Sequence, residues 1–74
     1  MEDSRQVKVL NRTSGMVSYT IPEMQNLRRL YQSKEEKIVS FEELRRLMYI
    51  PGGETILREH LIIEDKEVIE ALGM

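Results

Sequence analysis

The chain has 74 residues, with 11 Lys and Arg against 13 Asp and Glu, a formal charge of -2 and no cysteine. That length holds one small domain with a modest core. The missing cysteines exclude disulfides and thiolate metal sites, and the slightly acidic balance provides no overall positive field toward nucleic acid or anionic lipid. The stretch Met1 to Lys8 is charged and polar where a signal peptide would need an apolar run, and no apolar run reaches transmembrane length, so the expectation is a cytoplasmic protein without a membrane partner.

Met1 to Arg5 have the composition of a frayed terminus. From Gln6 to Ile21 the hydrophobic period is two: Val7 and Val9 alternate with Gln6 and Lys8, and Val17, Tyr19 and Ile21 alternate with Met16, Ser18 and Thr20. Between them Asn11-Arg12-Thr13-Ser14-Gly15 supplies turn residues, which predicts an N-terminal antiparallel β-hairpin closed by that loop. Such a hairpin needs a cover over its apolar face, and helices after Ser40 are the expected cover. Residues 24–37 allow two readings. Met24, Leu27, Leu30 and Tyr31 have helical spacing behind Pro22 and Glu23. Alternatively Leu27 to Tyr31 is a strand, Ser33-Lys34-Glu35-Glu36 a turn and Lys37-Ile38-Val39 a return strand rich in β-branched residues, giving a small three- or four-stranded sheet.

Ser40 to His60 carries the clearest punctuation. Ser40 is placed to cap a helix by accepting from the Glu43 N–H while the Glu43 carboxylate reaches back to the Ser40 N–H, with Val39 and Leu44 as a hydrophobic staple. Phe41, Leu44, Leu47 and Met48 then share one face, leaving Glu42, Glu43, Arg45 and Arg46 toward water. Pro51 ends the helix. Gly52 and Gly53 permit a sharp redirection, and Glu54 opens a second helix with Ile56, Leu57, His60 and Leu61 inward. Leu61-Ile62-Ile63 reads as a short strand or extended crossing, Asp65 as the cap of a last helix containing Val68, Ile69 and Leu72, and Gly73 as its stop. The predicted fold is α+β, a single small domain with the hairpin against two or three short helices.

Asn11-Arg12, Val17-Ser18-Tyr19-Thr20-Ile21-Pro22, Leu27-Arg28-Arg29, Phe41-Glu42-Glu43-Leu44, Tyr49-Ile50-Pro51-Gly52-Gly53 and Leu61-Ile62-Ile63-Glu64-Asp65 together resemble small proteins of tailed phages and prophages of Gram-positive bacteria. The resemblance covers nearly the whole chain and has no activity attached. It implies an N-terminal domain of a longer protein. Where this chain reads Ser33-Lys34-Glu35 those proteins often have a Pro-Gly-Glu turn, which favours the strand reading of residues 27–39 and leaves the turn type open.

Chemistry-bearing residues are sparse. His60 is the sole histidine and reads as a partly buried side chain; with Glu59 and Glu64 it makes a poor metal site, lacking a second histidine. No nucleophile has a base and orienting group beside it. The carboxylates Glu35, Glu36, Glu42, Glu43, Glu59, Glu64, Asp65, Glu67 and Glu70 read as solvated faces. Gly52-Gly53-Glu54-Thr55 lacks the spacing and lysine of a phosphate loop. No cofactor, metal or small-molecule substrate is therefore expected, nor an enzyme. The leading expectation is a module, phage- or prophage-encoded, that binds a host or phage protein through Arg28, Arg29, Arg45, Arg46 and Tyr49. The alternative is a helix-turn-helix-like nucleic-acid binder using Arg45, Thr55 and Arg58. A second alternative is a virion or assembly component.

Overall fold

Alternating apolar residues over 6–11 and 17–21 do form strands, but the strands do not pair with each other. In the computed structural model, which describes residues 1–74, the order is β1 (Gln6–Asn11), β2 (Val17–Ile21), a 3-10 turn (Pro22–Met24), β3 (Leu27–Tyr31) and β4 (Glu36–Ser40). Then come α1 (Phe41–Met48), α2 (Gly53–Thr55) running into a π turn (Ile56–His60), β5 (Leu61–Ile63) and α3 (Lys66–Ala71). The domain is α+β, with strands in the order β4-β1-β5 in one sheet and β2-β3 in a second. Residues 27–39 take the strand reading, and the helical reading of 24–37 is not adopted.

The antiparallel hairpin is made by β2 and β3, with Val17 opposite Tyr31 and Ile21 opposite Leu27. The expected β1–β2 pairing fails for a simple reason: β1 is a central strand with both edges in use. The Asn11 N–H donates to the Glu35 carbonyl at 2.9 Å on the β4 side, and the Arg12 N–H donates to the His60 carbonyl at 3.1 Å on the β5 side. Alternate residues of β1 thus serve opposite neighbours, and no free edge remains for β2. Asn11 enforces the departure. Its buried amide donates to the carbonyls of Gly15 (2.8 Å), Tyr31 (3.2 Å) and Gln32 (3.0 Å), while its oxygen accepts from the Thr13 N–H and hydroxyl. The loop is folded around that side chain and delivers β2 to the other sheet.

The inner faces of both sheets and α1 share one core, to which Val7, Val9, Val17, Tyr19, Ile21, Tyr31, Val39, Phe41, Leu44 and Leu47 contribute. Leu57, Leu61, Ile63 and Val68 close it from the C-terminal half. No helix is long and apolar enough to cross a membrane.

The N-terminal segment, the capping box and the histidine also depart from expectation. Met1 to Arg5 are docked, not frayed: the Phe41 N–H donates to the Arg5 carbonyl and the Glu42 N–H to the Asp3 carbonyl, filling donors that the first turn of α1 leaves open. Ser40 does cap Glu43, 3.2 Å from its N–H, but the Glu43 carboxylate does not return the bond; the side chain is turned inward, 2% exposed. His60 is exposed, because the helix widens to a π turn that closes from the Leu61 N–H to the Ile56 carbonyl. The inner face then runs through Ile56, Leu57 and Leu61, and His60 falls outside it.

Candidate functional site

The residues expected to contact a partner divide into three groups. Arg45, Arg46 and Tyr49 come together on the outer side and C-terminal end of α1. Arg46 is held by Glu42 one turn back (2.9 Å) and by Glu23 of the 3-10 turn (2.7 Å). Arg45 grips Asp3 with two nitrogens, at 3.1 and 3.3 Å. Hydrogen bonding to Glu42, opposed by a smaller desolvation, raises the Arg46 pKa above its ordinary value. Tyr49, one helical turn on from both arginines, is 80% exposed.

On one side of Tyr49 lies a groove of about 220 Å³ bounded by Ile21, Pro22, Ile50, Pro51 and Arg46. On the other lies one of about 310 Å³ bounded by Arg45, Met48, Glu54 and Leu72. The ring is therefore a ridge between two partly apolar depressions. Local sequence explains it: α1 must end before Pro51, so the helix terminates at Tyr49, whose N–H donates to the Arg46 carbonyl while the Ile50 N–H donates to that of Leu47. The run Met48-Tyr49-Ile50-Pro51 was the available signal for the groove walls. Leu72 reaches the site only through tertiary packing.

Arg29 belongs to a different environment. Its guanidinium approaches both oxygens of Glu43, Nη2 to Oε1 at 2.8 Å and Nε to Oε2 at 2.9 Å. The Tyr19 hydroxyl donates to Glu43 Oε2 at 2.6 Å and lies 3.0 Å from the Tyr31 hydroxyl, which must then be the donor of that second bond. Burial, then the neighbouring Tyr31 and Glu43, pushes the Tyr19 phenol far above its usual range; burial also raises Tyr31. The network joins α1 to the β2–β3 hairpin, and none of its members lines the two grooves beside Tyr49. Arg28, opposite Thr20 on the outer face of the hairpin, is exposed.

The residues singled out for nucleic acid are on the surface. Thr55 is exposed at the end of α2, and Arg58 in the π turn pairs with Glu54 at 2.8 Å. Arg45, the third of them, is the residue bound to Asp3. No group of three or more His, Cys, Asp or Glu is arranged to hold a metal ion. Comparison with protein-family models, with curated proteins and with solved structures returns no match to this chain.

Proposed function

We propose that the domain is a non-enzymatic protein-interaction module, phage- or prophage-encoded and acting in the bacterial cytoplasm, whose contact surface is centred on Tyr49. The carrying observation is the exposure of that ring between two grooves, flanked by Arg45 and Arg46. An exposed tyrosine offers large, stiff contact area with a polar tip, and tyrosine and arginine are the residue types enriched at interface centres. Met48 adds an adaptable apolar wall. The origin rests on the sequence resemblance and the compartment on the absence of cysteine. Arg28 and Arg29 lie outside this surface, Arg28 on the hairpin and Arg29 bound to Glu43.

The test is site-specific photo-crosslinking in host-cell lysate with a benzophenone amino acid at position 49. The expected result is a discrete protein adduct that excess wild-type domain suppresses and excess Tyr49→Ala does not. Adducts indifferent to either competitor would overturn the reading. So would duplex DNA that shifts the NMR signals of Arg45, Thr55 and Arg58 at low salt and releases them at high salt, the signature of phosphate contacts.

A further inference from the structure

The three-stranded sheet lays one face on the core and leaves the other open. On the open face the register sets Lys8 opposite Ile38 and Leu10 opposite Glu36. These side chains make a two-by-two block in which one diagonal, Leu10 and Ile38, is apolar and the other, Lys8 and Glu36, carries opposite charges. Lys8 Nζ and Glu36 Oε1 are 4.0 Å apart. Ile62, opposite Leu10 on β5, stands beside Leu10 in the same cross-strand row, off that diagonal on its Lys8 side. Ile38 is 62% exposed, and Leu10 and Ile62 are half-buried beside a shallow groove of about 250 Å³. An exposed isoleucine on an edge strand is unlike the charges or prolines that usually protect such strands.

We propose that this face is a self-association surface, on which a second copy of the chain packs face to face about a two-fold axis lying along the Leu10–Ile38 diagonal. Rotation about that axis lays the apolar diagonal of one copy on that of its partner. Lys8 and Glu36 lie on opposite sides of the diagonal, so the same rotation carries Glu36 of each copy over Lys8 of the other. The alternatives fail on charge. A two-fold along the strands, or across them, sets each charge on an apolar side chain, and one along the Lys8–Glu36 diagonal sets like charge on like. With strands about 4.8 Å apart and residues about 3.4 Å apart the face is on the order of 15 Å across. That is well below the ~800 Å² per partner of a standard interface, so the dimer forms only at high concentration.

Sedimentation equilibrium of the intact chain from about 10 μM to about 1 mM tests this. The expected mass rises from 8.7 kDa toward twice that value. Ile38→Lys, at an exposed position, keeps its circular-dichroism spectrum and stays monomeric. Lys8→Glu and Glu36→Lys each weaken association about tenfold, and the double reversal returns it to within about threefold of the parent. Tyr49→Ala leaves it unchanged, which separates this face from the one proposed to bind another protein. A monomer over the whole range, a dimer indifferent to Ile38→Lys or lost with Tyr49→Ala, or a charge reversal without rescue would each overturn the proposal.

Discussion

Glu43 shows how one side chain can serve two elements at once. Its backbone N–H is capped by Ser40, as the Ser-Phe-Glu-Glu spacing implies, while its carboxylate is committed to Arg29 and Tyr19 on the hairpin. The position in the capping box signalled a helix start, and that part is realised. Nothing local signalled burial, because the groups that make a buried carboxylate tolerable come from residues 19 and 29 and exist only after β2 and β3 have paired. The two ends of the ion pair are unequal: the Glu43 side chain is 2% exposed and that of Arg29 34%. Arg29→Ala therefore leaves an uncompensated buried carboxylate and lowers unfolding free energy by about 3 kcal/mol. Glu43→Gln costs about half as much, since Arg29 can turn to solvent and the glutamine oxygen still accepts from Tyr19. Urea unfolding of the two variants checks the order; equal losses would show that the charge is not the source of the cost.

Among the elements, the break between α1 and α2 rests on two glycines with different reasons. Gly52 adopts φ +82°, where a side chain is strained. Gly53 is required for space: a Cβ there would sit 1.9 Å from the Leu47 carbonyl oxygen, a backbone atom that cannot swing aside. The Gly53 N–H also donates to the Ile50 carbonyl at 2.8 Å, closing the turn. Gly52→Ala is expected to cost about 1 kcal/mol and Gly53→Ala more than about 2 kcal/mol, because the end of α1 must move. Thermal melts of both variants read this directly, and a milder effect at Gly53 would contradict it. The dipeptide marked a redirection in the sequence, whereas the crowding at Gly53 depends on where Leu47 lies. The π turn is a similar case. Helical spacing placed His60 inward, but closing Leu61 into β5 needs a wider turn, and the histidine is displaced to solvent.

For the molecule as a whole, the N-terminal segment acts as a strap. Arg5 bonds to Asp65, the cap of α3, and to Glu67, while its carbonyl takes the first N–H of α1, so one residue joins both ends of the chain to the central helix. The Arg5 guanidinium holds the Asp65 carboxyl below its ordinary 3.8, and the Gln32 N–H, then Lys37, holds Glu35 below 4.5. A carboxyl with a depressed folded-state pKa contributes stability that is fully present above its unfolded value and lost as pH falls through the folded one. Melting temperature is accordingly expected to hold from neutral pH to about pH 5 and to fall below about pH 4. Asp65→Asn starts lower at neutral pH and falls less steeply in acid; an unchanged acid limb would show that Asp65 does not carry it.

Much of the architecture was legible one segment at a time. Period-two alternation located β1 and β2, the β-branched run located β4, and Ser40, Pro51, Asp65 and Gly73 marked helix ends, because each signal is a property of backbone preferences and near neighbours. That Arg45, Arg46 and Tyr49 are neighbours follows from the same local spacing, within two turns of one helix, whereas Arg28 and Arg29, expected beside them, lie on the β2–β3 hairpin. Tertiary structure alone decided that β1 is central and β2 pairs with β3, that Asn11 and Glu43 are buried polar hubs, and that Leu72 and Ile21 wall the grooves beside Tyr49. Each of these depends on which distant groups meet, and a pairing edge or a buried carboxylate acquires its partners only when the whole chain closes around it.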